Sequence, residues 1–280
     1  MKLLRWGEAG AERPGMLAPD GTIRDLGGVL TDLAGAALAP ESLARLAALD
    51  PARLPVVAPG TRLGPPVAGT GKVIGIGLNY ADHAEEAGMA VPPEPVIFLK
   101  APSAISGPDD PVELPRGAEK LDWEVELAFV IGTRAKYVEE ADAMAHVAGY
   151  MLANDVSERA FQTERSGQWT KGKSHDTFFP CGPWLVTRDE IADPQALALG
   201  ASVNGSVMQA GTTATMVYGV RFLVSYLSRF MTLEPGDIVT TGTPPGVGMG
   251  MKPPRFLRPG DVVELTGEGL GTQRQRVVPA

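Results

Sequence analysis

The chain has 280 residues, a formal net charge of −8 and a sequence pI near 5.0, which suits a protein with a large core and argues against a nucleic-acid or anionic-lipid partner. No stretch approaches the roughly 20 apolar residues of a membrane span, and the start turns polar too soon for a signal peptide. With one cysteine, Cys181, expected to be buried and inert, these features predict a cytoplasmic protein.

In chain order, the sequence first predicts a small N-terminal domain over residues 1–65. It contains short apolar runs and a helix over residues 39–49, entered through Pro40. A connector rich in Gly and Pro, at residues 61–71, then leads into a larger domain over residues 70–280.

The larger domain alternates short β-patterned runs with Gly and Pro turns. Strands are predicted at residues 72–77, 96–99, 124–131, 184–187, 201–204, 238–241 and 261–265. Helices are predicted at residues 81–88, 141–145 and 215–230. Many short strands without a repeating βαβ order predict a mixed, β-rich α+β fold, a sandwich or barrel-like roll rather than a Rossmann fold.

The helix at residues 81–88 carries His83 and Glu86 on one face, because residues three apart in a helix are neighbours. A surface helix of mixed charge would have the same pattern. If the helix closes over a metal, however, Glu86 can hold the imidazole of His83 in one tautomer while that ring takes a proton from water. The pair is then a general-base dyad.

The strand at residues 124–131 places Glu124 and Glu126 on one face, since successive strand side chains point to opposite sides. The solvated face of an edge strand would look the same. A third carboxylate, Asp155, follows another apolar run, and three carboxylates favour a site for a hard cation over a solvated strand face. Oxygen ligands alone suit Mg²⁺, with Mn²⁺ or Ca²⁺ as alternatives, better than zinc.

Two glycine-rich segments have part of a nucleotide-binding pattern. Residues 75–80 have Tyr80 where a dinucleotide fingerprint needs glycine, and residues 240–248 lack the Lys-Ser/Thr of a phosphate loop. The second segment directly follows a predicted strand. A plain turn and a loop whose amides approach an anionic ligand fit it equally well.

Six motifs in this order resemble the fumarylacetoacetate hydrolase family over residues 70–280. They are residues 77–83, 95–100, 124–127, 154–159, 171–174 and 241–248. The resemblance implies a mixed β-roll core, a homodimer and a divalent cation, usually Mg²⁺, held by Glu124, Glu126 and Asp155. It also assigns the general-base dyad to His83 and Glu86.

The same resemblance implies that Lys173 faces the substrate carbonyl, although the residues alone also allow a surface lysine. It further implies contacts with the 2-oxo acid from Arg159, Gln162, Gly242 and Thr243. Within the family, residues 161–169, 182–190 and 246–254 are most similar to the branch that hydrolyses 2,4-diketo-3-deoxy sugar acids, such as the fuconate and rhamnonate derivatives. The chain departs from that branch at Phe179 and at residues 209–211.

Together these features predict a Mg²⁺-dependent hydrolase of a carbon–carbon bond in a 2,4-dioxo acid. Water activated by His83 would add to the C4 carbonyl, Lys173 would stabilise the oxyanion, and pyruvate and a second carboxylic acid would leave. A 2-oxo acid decarboxylase or acylpyruvase, or an isomerase of hydroxymuconate type, is the alternative among enzymes. The alternative outside enzymes is a metabolite-binding dimer.

Overall fold

The computed structural model of the protein describes residues 1–86 and 91–280, and leaves out the side chains of residues 83–85. Within these ranges the strands, in chain order, are β1 Lys2–Trp6, β2 Arg13–Leu17, β3 Ile23–Asp25, β4 Leu63–Gly64, β5 Val73–Gly77, β6 Val96–Lys100, β7 Ile105–Ser106, β8 Val112–Leu114, β9 Leu121–Asp122, β10 Val125–Ile131, β11 Val147–Asn154, β12 Ser157–Glu158, β13 Phe179–Pro180, β14 Leu185–Thr187, β15 Ala198–Val203, β16 Ser206–Thr212, β17 Ile238–Thr240, β18 Val262–Gly267 and β19 Gly271–Pro279. The α-helices are α1 Pro40–Ala47, α2 Ala81–Glu86, α3 Arg159–Thr163, α4 Thr170–Lys173 and α5 Val220–Leu227. No helix in the described part of the chain has the length and apolar character needed to span a membrane.

Ten strands form one large sheet in the order β3-β2-β1-β14-β11-β10-β17-β5-β6, with β4 beside β1. Strand β10 lies inside this sheet, antiparallel to β11 on one side and to β17 on the other. All seven of its residues are buried. The interpretation of the Glu126 face as the solvated face of an edge strand is therefore wrong.

A second sheet of five strands, in the order β16-β15-β18-β19-β8, packs against β10 and β11. The side chains of Leu127, Leu152, Val203 and Leu265 are fully buried in the core. Burying each such side chain contributes roughly 1.5–3 kcal/mol relative to leaving it in water. Two packed sheets with few helices confirm the predicted β-rich α+β fold.

The N-terminal strands extend the large sheet. Strand β1 pairs antiparallel with β14, with Leu3 opposite Leu185, and β2 and β3 follow it outward. The predicted helix of residues 39–49 is present as α1 and begins at Pro40, which suits a first helical position because it needs no amide donor there.

Two predicted helices are shorter than the sequence pattern indicated. The helix expected over residues 215–230 is α5, which begins only after the extended residue Gly219. The side chain of Gln195 accepts from Val220 N at 2.9 Å and so satisfies the first free amide of that helix. Residues 141–145 contribute only to a 3₁₀ turn, Ala143–His146.

Candidate active site

Three buried carboxylates meet where β10 and β11 lie side by side. Glu124 comes just before β10, Glu126 lies within it, and Asp155 follows β11. The antiparallel register places Val125 opposite Asn154, so Asp155 N donates to Glu124 O at 3.0 Å. Each of the three side chains offers an oxygen within 4.8 Å of the others, as the sequence predicted.

Two buried lysines contact this cluster. Lys173 Nζ lies 2.7 Å from Glu124 Oε2 and 2.6 Å from Asp155 Oδ2, while Lys100 Nζ lies 2.6 Å from Asp155 Oδ1. Burial alone would lower the pKa of Lys173, but the carboxylates of Asp155 and Glu124 outweigh it and raise that pKa. For Lys100, burial prevails over Asp155 and lowers the pKa to about 8. Lys173 is therefore no surface lysine, and Lys100 is a member of the site that sequence reasoning missed.

Glu126 has hydrogen bonds but no positive partner among the described residues. Its Oε2 accepts from the hydroxyl of Thr240 and from Gly242 N, the latter at 2.8 Å. Only 2% of the residue is exposed. Burial, followed by the charges of Asp155 and Glu124, raises the pKa of Glu126 well above its usual range. A cation beside Glu126 would offset the cost of burying this carboxylate.

The chemistry of these donors fits a divalent cation. All three ligand groups are carboxylates, which hard ions such as Mg²⁺, Mn²⁺ and Ca²⁺ prefer over zinc. The lysines neutralise charge on Glu124 and Asp155, but the charge of Glu126 is left for an ion to compensate. Glu124, Glu126 and Asp155 are therefore the residues that could hold one.

Arg159 lies against the same cluster from α3. Its Nη2 is 2.7 Å from Glu124 Oε1, its Nε donates to Asp122 Oδ2 at 2.9 Å, and its Nη1 donates to Gln162 Oε1 at 3.2 Å. Arg159 and Gln162 are three residues apart and hence on one helical face. Asp122, which holds Arg159 from behind, was not identified from the sequence.

The loop after β17 supplies Gly242 and Thr243. Gly242 has a φ of +91°, a conformation that favours glycine, and its amide points at Glu126. Thr243 Oγ1 donates to Val125 O at 2.8 Å and accepts from Gln209 Nε2 at 2.7 Å. The loop is thus fixed against β10, and the amide of Gly242 approaches a carboxylate of the protein itself.

These groups border one cavity of about 200 Å³, and every predicted site residue outside α2 lines it. One wall of the cavity is aromatic, because the rings of Phe98 and Trp169 lie 5.6 Å apart beside it. Two glycines of β5 make room for that wall: a Cβ on Gly75 would lie 2.1 Å from the Phe98 ring, and one on Gly77 would lie 2.5 Å from Trp169. The charged groups and the aromatic wall adjoin, because Lys173 Nζ lies 4.9 Å from the centroid of the Phe98 ring.

Helix α2 follows β5 and brings Glu86 to the neighbouring loop. Gly246 N donates to both carboxylate oxygens of Glu86, at 3.0 and 3.1 Å. The side chain of His83 and the remainder of the predicted helix, residues 87–88, lie outside the described residues. The geometry of the His83–Glu86 dyad consequently stays a prediction.

Known proteins are similar to this chain over nearly its whole length. The family model described as fumarylacetoacetate (FAA) hydrolase, C-terminal, matches residues 72–278. A curated relative from Burkholderia cenocepacia, named only in general terms as a hydrolase, is 59% identical over 277 residues, which is 99% of this chain and 98% of the relative.

Solved structures of similar proteins cover the whole chain. A fumarylacetoacetate hydrolase from Exiguobacterium antarcticum has a TM-score of 0.87 and 38% identity, with all of both chains covered. A 5-carboxymethyl-2-hydroxymuconate delta-isomerase from Mycobacterium smegmatis has a TM-score of 0.77 and 36% identity over 100% of this chain and 99% of its own. A maleylpyruvate hydrolase from a Sphingobium species has a TM-score of 0.81 and 29% identity, again with both chains fully covered.

Proposed function

Since this chain belongs to the fumarylacetoacetate hydrolase family, we propose that it is a Mg²⁺-dependent hydrolase that cleaves the carbon–carbon bond of a 2,4-dioxo acid. The products are pyruvate and a second carboxylic acid. Family membership and the hydrolase and isomerase names of its relatives support an enzyme of one of these two classes. The bond and the metal are our proposal.

The observation that carries the proposal is that Glu126, beside two other carboxylates, has no positively charged partner among the described residues. Burying a carboxylate without a cation is costly, and a fold keeps such an arrangement mainly at functional sites. Glu126 is almost fully buried and lies next to Glu124 and Asp155. A divalent cation at this point supplies the missing charge and, when bound, polarises the 2-oxo acid end of a substrate.

The chain's own residues perform the remaining steps. The oxygen of a water molecule bonds to C4 while its proton passes to His83, the base assigned from the sequence. The ammonium of Lys173, which lines the cavity, stabilises the negative oxygen formed on C4. The oxyanion on C4 then becomes the carboxyl group of the second acid as the C3–C4 bond breaks, the electron pair of that bond remains on C3, and C3 takes up the proton that His83 accepted from water, which gives pyruvate.

An isomerase is the second candidate, supported by the 36% identity to the M. smegmatis protein of that name. An isomerase moves a proton between carbon atoms and needs no attacking water. A decarboxylase would release carbon dioxide, and a metabolite-binding dimer would release nothing. The four functions therefore differ in their products.

The test is a product assay on purified protein with Mg²⁺. The panel should contain acylpyruvates with apolar tails and a sugar-derived 2,4-diketo-3-deoxy acid, since the sugar-acid branch also stays a prediction. We expect pyruvate to appear in equal amount to the second acid, and to stop appearing after chelation. Double-bond migration without pyruvate would favour the isomerase, and full activity after exhaustive chelation would contradict the metal.

A further inference from the structure

Asp122 is a fully buried carboxylate that joins two parts of the site. Its Oδ1 accepts from Trp123 N at 2.9 Å and from Gly248 N at 2.7 Å. Its Oδ2 accepts from Met249 N at 3.0 Å and from Arg159 Nε at 2.9 Å. Four donors thus converge on one side chain that itself lies outside the cavity lining.

The first connection runs through Arg159 to Glu124. A guanidinium is planar, so fixing Nε against Asp122 also fixes the direction of Nη2. That Nη2 lies 2.7 Å from Glu124 Oε1. Through Arg159, Asp122 therefore fixes the position of Glu124 Oε1. The other oxygen of Glu124, Oε2, then faces Lys173.

The second connection runs through the loop of residues 246–249. Asp122 accepts from the amides of Gly248 and Met249, and two residues earlier Gly246 N donates to Glu86. The approach requires glycine, because a Cβ at position 248 would lie 2.8 Å from Asp122 Oδ1 and 1.9 Å from a backbone oxygen. The same carboxylate therefore supports the loop on which Glu86 rests.

We propose that Asp122 is a positioning residue that orients Glu124 for the cation through Arg159 and anchors the loop that binds Glu86. Its effect on the reaction is indirect, since its side chain lies outside the lining of the cavity. The inference rests on the proposed cation at Glu124, Glu126 and Asp155. It adds that Asp122 orients one of these ligands, Glu124.

The experiment measures Mn²⁺ affinity, with Mn²⁺ as the only ligand, by electron paramagnetic resonance of the free ion. In Asp122→Asn the amide has one acceptor oxygen, so an N–H must face either Gly248 or Arg159. We expect the Mn²⁺ dissociation constant to rise about 10- to 100-fold, the range for residues that orient metal ligands.

Asp237→Asn is the matched control. Asp237 is also buried and accepts from Lys72 N at 2.9 Å and Glu234 N at 2.7 Å, but it lies before β17, at the end away from Gly242. The Asp237→Asn variant should have a lower melting temperature than the parent protein and the same affinity for Mn²⁺. A purely structural role for Asp122 would produce this same result.

The outcomes separate the inference from the function on which it rests. If the parent protein binds no Mn²⁺, the proposed cation and this inference both fail. If the parent binds Mn²⁺ and folded Asp122→Asn binds it equally well, only the inference fails. Should Asp122→Asn not fold, Arg159→Lys, which loses the planar fork, must show a similar loss of affinity, and unchanged binding there overturns the proposal.

Discussion

Replacing Glu126 by glutamine should separate cation binding from folding. The glutamine side chain would keep an oxygen for the amide of Gly242, so the backbone contact at 2.8 Å can survive. The variant loses the one carboxylate of the cluster that has no positively charged partner among the described residues. Since residues that merely orient ligands alter metal affinity about 10- to 100-fold, loss of a direct anionic ligand should weaken Mn²⁺ binding by at least about 100-fold, or about 2.7 kcal/mol.

The metal-free variant should melt at the same temperature as the parent or higher, because a neutral amide replaces a buried charge whose pKa is raised. Glu12→Gln is the matched control for this second effect. The side chain of Glu12 is also only 7% exposed, but it is paired with Arg62 at 3.0 Å and Arg5 at 3.5 Å in the N-terminal region. Its variant should melt lower and bind Mn²⁺ as the parent does.

The assay combines Mn²⁺ titration, thermal unfolding in the presence of a chelator, and pyruvate release. Glu126→Gln should lose cation binding and turnover together while gaining or keeping stability. Parent-like affinity in this variant would remove Glu126 from the ligands. A drop in melting temperature like that of Glu12→Gln would refute the argument that its charge is uncompensated.

Four further predictions concern the site and the assembly. His83→Ala should lower the rate of carbon–carbon hydrolysis about 10²- to 10⁴-fold, and an unchanged rate in a stopped pyruvate assay would exclude it as the base. Lys173→Met should lower turnover about 10²- to 10³-fold without weakening Mn²⁺ binding in titrations, because its ammonium occupies oxygens of Glu124 and Asp155. Because the pKa of Glu126 is raised, the native state binds more protons than the unfolded state at pH values above the ordinary pKa of 4.5. As the pH increases toward and through the raised pKa, the stability of the metal-free protein should therefore fall and its affinity for Mn²⁺ should rise. Thermal melting and Mn²⁺ titrations at a series of pH values test both trends. Light scattering should give a mass near twice 29.4 kDa if the predicted homodimer forms, and a single-chain mass would contradict it.

Local sequence patterns were sufficient for part of the large sheet. The predicted strands of that sheet correspond to β5, β6, β10, β14 and β17, but no strand was predicted over β11, residues 147–154. Alternation placed Glu124 and Glu126 on one face of β10, and the apolar run before Asp155 suggested a third carboxylate for the same site. The antiparallel pairing of β10 with β11, which brings the three carboxylates together, could not be predicted from either local pattern.

Contacts between distant residues could not be predicted in this way. Lys100 and Asp155 are 55 positions apart, and Asp122 and Arg159 are 37 apart, so no local pattern links either pair. A lysine that ends an apolar strand was the one local signal for Lys100. Similarly, helix α5 is shorter than its apolar pattern because Gln195, remote in sequence, caps it.

The balance of buried charge has an evolutionary consequence. Carboxylates and cations interlock in one network of Asp122, Glu124, Glu126, Asp155, Lys100, Arg159 and Lys173. Neutralising Arg159 leaves Asp122, and neutralising Asp155 leaves Lys100, as a buried charge with no other oppositely charged partner among the described residues, which costs on the order of 3–5 kcal/mol. Neutralising Glu126 leaves no described cation without a partner. A descendant lineage released from selection for the reaction should therefore substitute Glu126 early, and retain Asp155 and Arg159 for as long as it keeps the fold.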